Sequence, residues 1–275
     1  MITGKWFTPA KMRVFRVKMT KKPASLLDRL AQRHALARWS RAARIAEALD
    51  FSDLRMLRAE ARALRRELNR LLHVAEGRLA QPLPGHDGIA RPLGTEWAWR
   101  GDLWSGPVHP AGLAPAVNRA MLGGHATLFH DCPTSELVLR QVRRADPDQV
   151  AAFCLGLDVF RFDGSFLSLA IDLPEAAVRG LRRDHLIRLD LPVEMERPLE
   201  IYCRLNVKHG PNTEHLVRTL PHRQGETAVE FDLAYTKLNE KRVERAWIDL
   251  VFDGPQMNRI VIHDLTVSRR PRAGI

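Results

Sequence analysis

From residue 125 onward, apolar residues recur at every second position. Leu155, Leu157 and Val159 alternate with Gly156 and Asp158, and Leu167, Leu169, Ile171 and Leu173 alternate with Ser168, Ala170 and Asp172. Leu199, Ile201, Cys203, Leu205 and Val207 alternate in the same way with Glu200, Tyr202, Arg204, Asn206 and Lys208. Successive side chains of a strand point to opposite faces, so this pattern belongs to strands with one face buried and one in solvent. Val229, Phe231, Leu233 and Tyr235 form a further inward set, as do Ala246, Ile248, Leu250 and Phe252. About eight or nine strands at this spacing predict an antiparallel β-sandwich, most simply a jelly roll.

Local signals add detail. Parity matches a hairpin of residues 155–159 and 167–173 closed by the loop Phe162, Asp163 and Gly164, pairing Val159 with Leu167 and Leu157 with Leu169. Pro174 opens a short helical crossover to about Arg183. Pro192 inside the run Ile187 to Met195 predicts an edge strand or a bulge. Ile260 and Ile262 share one parity while Leu265 and Val267 share the other, which a bulge near His263 and Asp264 reconciles.

The first third of the chain has a different period. After Pro23, a stretch rich in Ala, Leu and Arg predicts one helix from Ser25 to about Leu49. A second follows, with Leu54, Leu57, Ala61, Leu64, Leu68, Leu71 and Ala75 at alternating steps of three and four. A helix of roughly 27 residues reaches about 40 Å, so its seam needs either an antiparallel hairpin partner or a coiled-coil oligomer through residues 53–79.

Charge follows the same division. Residues 1–80 hold 19 Lys plus Arg against 7 Asp plus Glu, whereas residues 81–275 hold 24 against 25. An anionic partner, membrane surface or nucleic acid, is therefore expected on the helices. Arg29, Arg33, Arg41 and Arg44 on the first helix and Arg62 and Arg66 on the second are the candidate anion-binding residues. An ordinary solvated face is the competing reading, although acids are too few to pair most of these cations. Residues 1–22 read as a basic tail with interleaved Trp6, Phe7 and Phe15, which suits an interfacial anchor or a disordered segment. The expected divisions are thus a tail at 1–22, a basic helical module at 23–80, a Pro/Gly/Trp-rich linker at 81–124 and a sandwich at 125–275. Within the linker, a short helix is expected around Ala114 to Met121. Trp97, Trp99 and Trp104 there serve either as a platform for sugars or bases or, more simply, as staples onto a neighbouring core.

No run of roughly 18 uncharged apolar residues occurs, so a cytoplasmic protein is expected, peripheral at the inner membrane if the helices meet lipid. Cys132, Cys154 and Cys203 are odd in number and far apart, which suits reduced core thiols. No GxSxG, P-loop, HExxH, GxGxxG or EF-hand spacing is present, and no motif asks for a cofactor or a metal. His130, Asp131 and Cys132 lack a ligand spacing of known geometry. Glu194, Glu196 and Glu200 could supply a carboxylate pair for glycoside hydrolysis, against the simpler reading of a solvated face. The strongest candidate site is the row Tyr202, Arg204, Asn206 and Lys208, running into a loop with His209, Asn212 and His215. One ring beside planar donors and acceptors is what stacking and directional hydrogen bonding to a sugar require.

The segments DVFRFDGSFLSLAIDLPEAAVRGL, HLIRLDLPVEMERPLEIYCRLNVKHGPNTEH, FDLAY, LNEKRVE and GPQMNRIVIHDLTVSRRPR resemble an uncharacterised bacterial family of unknown function, over most of the chain from about Leu26. That resemblance implies no activity. The strand pattern is also similar to galactose-binding-like and carbohydrate-binding jelly rolls, which implies a mainly β fold and a glycan or other polar small molecule as ligand. Together these readings favour a non-enzymatic binding or adaptor protein: an antiparallel jelly-roll-like sandwich preceded by two helices. The alternatives are a scaffolding protein oligomerised through its heptad helix, and a carbohydrate-active enzyme.

Overall fold

A computed structural model describes residues 26–79, 89, 91–144, 151–221 and 227–272. The expected tail at 1–22 lies outside the described residues. Contacts divide the chain into two units, residues 1–63 and 64–275.

The first unit contains α1 (Leu26–Ile45), a 3-10 turn (Ala46–Ala48) and the start of α2 (Phe51–Leu79), which runs on into the second unit. Ala, Leu and Arg are strong helix formers, and Asp28 and Asp53 in the first turns with Arg44 and Arg78 in the last complement the helix dipoles. The chain doubles back at the 3-10 turn. Arg38 pairs with Glu60, residues equidistant from Leu49, so α1 and the start of α2 run antiparallel. Half-buried Trp39, Ala42, Ala46, Leu49, Leu54 and Leu57 cluster toward that turn.

The second unit is the sandwich. Its strands are β1 (Trp97–Arg100), β2 (Gly112–Leu113), β3 (Ala120–Leu122), β4 (Ala126–His130), β5 (Leu137–Arg143), β6 (Phe153–Val159), β7 (Leu167–Asp172) and β8 (His185–Asp190). They continue with β9 (Val193–Met195), β10 (Ile201–His209), β11 (Asn212–Thr219), β12 (Ala228–Asp232), β13 (Val243–Phe252), β14 (Asn258–Ile262) and β15 (Thr266–Pro271). Two single-turn helices, α3 (Asp102–Ser105) and α4 (Glu175–Val178), interrupt them. The strands form a six-stranded sheet ordered β11-β10-β13-β7-β4-β3, a five-stranded sheet β2-β5-β6-β14-β9 and a four-stranded sheet β1-β15-β8-β12. Every pairing is antiparallel.

Inner faces of all three sheets meet in one core that includes Leu169, Ile171, Cys203, Leu205, Ile248, Leu250, Leu157, Ile260, Leu189 and Val267. Burial pushes the Cys203 thiol up to about 12, because a thiolate there would lose its water. All three cysteines are buried and free.

Several pairings differ from the sequence expectation. β6 and β7 are not a hairpin: β6 pairs with β5 and β14 in the five-stranded sheet, while β7 pairs with β4 and β13 in the six-stranded one. Alternation reports which face is buried and not which strand lies alongside, so residues 160–166 carry the chain from one sheet to another with both apolar sets still inward. The parity change after Ile262 has the same origin. β14 and β15 belong to different sheets, and Ile260, Ile262, Leu265 and Val267 are all buried without a bulge. Pro192 likewise falls between β8 and β9, and β9 is an edge strand. Tyr235 is 82% exposed, because the chain leaves β12 for a 3-10 turn at Leu233–Tyr235.

The expected linker at 81–124 enters the sheets from Trp97, and the helix expected at Ala114–Met121 is replaced by β3 and a bend with a cis Ala114–Pro115 bond. Trp97 and Trp99 pack on the core, and buried Trp104 donates its indole N–H to the Ile262 carbonyl at 2.9 Å. The tryptophans are staples. The end of α2 also rests on this unit: Gly77 faces the Ser105 carbonyl, Gly106 faces the His73 carbonyl, and His73 Nδ1 lies 3.2 Å from the Pro107 carbonyl oxygen. Both approaches need a residue without Cβ.

Candidate functional site

The outward face of the six-stranded sheet carries the polar row. Register places His215, Asn206, Trp247 and Asp172 side by side across β11, β10, β13 and β7. The next row holds Val217, Arg204, Asp249, Ala170 and Thr127, and the one after it Thr219, Tyr202, Val251, Ser168 and Phe129. The period-two pleat that buries Cys203, Leu205, Val207, Ile248 and Leu250 sends these residues to the other side.

At the centre is a carboxylate whose side chain is 8% exposed. Asp249 Oδ2 accepts from Arg204 Nε at 3.0 Å and Nη2 at 2.7 Å, and from Asn206 Nδ2 at 2.9 Å. Asn206, itself buried, also donates to the Arg204 carbonyl at 3.2 Å, and its Oδ1 lies 2.7 Å from His215 Nδ1. An amide oxygen only accepts, so the ring nitrogen is the donor. Trp247 sits beside this network, half-buried, with the Arg245 guanidinium 5.0 Å from its ring centroid. Arg245 in turn pairs with Asp172. The Tyr202 phenol donates to Glu200, and this bond holds its pKa above the usual phenol value. Lys208 pairs with Glu244 at 2.8 Å and keeps that carboxyl below its ordinary range.

Of the residues singled out in sequence, Tyr202, Arg204, Asn206 and His215 come together on this face, and Lys208 lies one row beyond Asn206. Asn212 is exposed at the start of β11, past the two-residue turn Gly210–Pro211. His209 is not on the face. It is buried, accepts from the Asn239 backbone N–H at 3.3 Å through Nδ1 and lies 3.5 Å from Glu214. Sequence reading did not select Trp247 and Asp249. Their parity relative to Ile248 and Leu250 marks them as outward, but only the register of β10 against β13 brings them to Asn206 and Arg204.

The remaining candidates separate. Buried His130 bonds the Ala116 carbonyl at 3.0 Å, Asp131 accepts from the Ser165 hydroxyl and backbone N–H, and Cys132 contacts Thr134 and Asp163. Among the described residues no group of three or more His, Cys, Asp or Glu could hold a metal ion. Glu194 and Glu196 line an open cleft of about 560 Å³ with Arg259, Val261 and His263, with Glu194 3.1 Å from His263, whereas Glu200 bonds Tyr202 beside the six-stranded sheet. Arg29, Arg33, Arg41, Arg44, Arg62 and Arg66 are exposed and pair with no carboxylate among the described residues.

Chemically, the sheet face offers an indole, a phenol and a pre-ordered set of planar donors and acceptors next to the short side chains Ala170, Ser168 and Thr127. Such a surface orients a polar ligand by stacking and directional hydrogen bonds.

No curated protein matches this chain. Among solved structures, it is similar to the enzymatically active domain of bacteriophage CBA120 tailspike protein 4, at 10% identity and a TM-score of 0.37, over 52% of this chain and 19% of that one. It spans about a fifth of the tailspike chain. A family 11 carbohydrate-binding module of Clostridium thermocellum, in complex with a β-1,3-1,4-mixed-linked tetrasaccharide, aligns at 9% identity and a TM-score of 0.33, over 55% of this chain and 92% of the module. The C-terminal family 22 module of Clostridium thermocellum Xyn10B aligns at 6% identity and 0.34, over 68% and 99%. These are distant likenesses. The specific match is to a family model over residues 19–275, and the chain therefore belongs to the family of unknown function DUF6478.

Proposed function

We propose that this protein is a non-enzymatic binding protein whose six-stranded sheet recognises a glycan through its outward face. The observation that carries this reading is the placement of Trp247 against the Asn206–Asp249–Arg204 network: an aromatic surface beside hydrogen-bonding groups held in position before any ligand arrives. Recognition on a sheet uses rigid strands rather than loops, so little ordering is lost on binding.

The test is a glycan array on the full chain, followed by titration of the best binder. Trp247→Ala should weaken binding by about tenfold, the worth of one aromatic contact near 1.4 kcal/mol. Arg204→Ala should weaken it comparably. Absence of binding across the array, or a Kd unmoved by both substitutions, rejects the reading.

A second contact is favoured by the six arginines without carboxylate partners among the described residues. Arg29, Arg33, Arg41, Arg44, Arg62 and Arg66 would hold an anionic surface, membrane or nucleic acid, making the protein an adaptor. A cytoplasmic site at the inner membrane accompanies the lipid version. Pelleting with anionic but not neutral vesicles, beside a salt-titrated nucleic-acid shift, separates the two. Binding to neither retires this contact.

A further inference from the structure

We propose that α2 joins a second copy of this chain as a parallel, in-register coiled coil along its leucine seam. Leu64, Leu68 and Leu71 are 42%, 48% and 64% exposed, a continuous apolar stripe left open on a helix of 29 residues. The other side of the helix is occupied. At about 3.6 residues per turn, His73 and Gly77, which meet Pro107 and Ser105, lie roughly half a turn around the helix from Leu64, Leu68 and Leu71. A partner on the seam therefore meets no obstruction from the sandwich face on which α2 rests.

Charge selects the partner and its direction. With Leu57, Leu64 and Leu71 at successive d positions, Leu54, Ala61, Leu68 and Ala75 take the a positions. The flanking g positions are then Asp53, Glu60 and Glu67, and the first two e positions are Arg58 and Arg65. In a parallel pair, each g residue faces the e residue five places on in the other helix. Glu60 meets Arg65 of the second copy on both sides of the open part of the seam, whereas Asp53 and Arg58 flank Leu54 and Leu57, which are half-buried toward α1. An antiparallel pair would instead set g against g and e against e, carboxylate on carboxylate and arginine on arginine. The heptad from Glu60 thus favours self-pairing in one orientation, with Leu64 and Leu71 at the d positions. Glu60 keeps Arg38 of its own chain and accepts Arg65 of the second copy on the same carboxylate. This inference is independent of the glycan reading.

The experiment uses the full chain. Sedimentation equilibrium over a wide dilution series should show a monomer–dimer equilibrium. Leu64→Asp or Leu68→Asp should weaken it about 100-fold or more, since each change removes an apolar side chain from both helices. Arg65→Glu should also weaken self-association, and that variant should pair with a chain carrying Glu60→Lys. Because the seam is exposed in the monomer, these variants should melt with the parent sandwich, which a thermal scan checks. Direction is read by cross-linking. Leu64→Cys and Leu71→Cys, tested singly, should each form a disulfide-linked dimer, because in a parallel pair every d residue meets its own copy; the native thiols are buried. A monomer at all concentrations, a dimer indifferent to Leu64→Asp and Leu68→Asp, or cross-linking at only one of the two positions overturns the proposal.

Discussion

Gly77 offers a test in which two physical effects carry opposite signs. An ideal Cβ built at this position lies 2.1 Å from the Ser105 carbonyl oxygen and 3.2 Å from its carbon, both backbone atoms that cannot rotate aside. A carbon–oxygen contact needs a little over 3 Å, so Gly77→Ala forces α2 and the end of α3 about 1 Å apart. Helix propensity alone predicts the reverse outcome, since Ala in place of Gly in the last turn of a helix stabilises by up to about 1 kcal/mol. Overpacking of a close contact costs about 1–3 kcal/mol. The expected balance is a net loss of up to about 2 kcal/mol, and at about 2–4 °C per kcal/mol for a unit of this size, a Tm lower by up to about 8 °C. Hydrogen exchange should localise the effect: amides of residues 69–79 lose protection while β10 and β13 keep theirs. Gly106→Ala, whose Cβ would lie 2.3 Å from the His73 carbonyl oxygen, should act in the same direction, and the double variant should fall short of additivity because both open one contact. Gly124→Ala is the control, with nothing within 4 Å. A higher Tm for Gly77→Ala would refute the docking of α2 and leave its end a free helix.

Two further outcomes follow from buried polar groups. Asp249→Ala removes the acceptor of three hydrogen bonds and leaves the buried Asn206 amide with weaker partners, so urea denaturation should show a loss of about 1–3 kcal/mol, below the roughly 3–5 kcal/mol of a fully buried broken pair because Arg204 remains half in water. His185 is fully buried, takes the Arg182 backbone N–H on Nδ1 at 3.0 Å and lies 3.3 Å from Glu96. Burial, then Arg269 and Arg182, hold its pKa below the ordinary 6.5, outweighing Asp184 and Glu96. The unfolded chain therefore binds this proton more readily than the folded one. Stability from this group is complete above pH 6.5 and is lost as pH falls below it. Denaturation curves at a series of pH values should show that decline and should show it flattened in His185→Gln; an unchanged slope would count against the burial argument.

Much of the fold was legible because it rests on local periodicity. The inward sets Leu167, Leu169, Ile171 and Ala246, Ile248, Leu250, Phe252 are buried as their parity requires, and both helices occupy the Ala/Leu/Arg-rich stretches. The pairing errors share one cause. β6 with β7, and β14 with β15, are neighbours in sequence that belong to different sheets, and neither alternation nor turn chemistry distinguishes a hairpin from a crossover when both keep the same side chains inside. The candidate site was legible on one strand only. Tyr202, Arg204 and Asn206 could be read off β10, whereas Trp247 and Asp249 come from about 40 residues downstream and join them through strand register.

By itself the sequence determined which side of each strand faces oil or water, where the helices run and where the positive charge accumulates, because each of these depends on residues a few positions apart. Tertiary structure decided which strands lie side by side, that β10 runs on through His209, and that Asp249 becomes the centre of a polar network. Those outcomes depend on how one shared core closes over segments far apart in the chain, and no short window of residues carries that information.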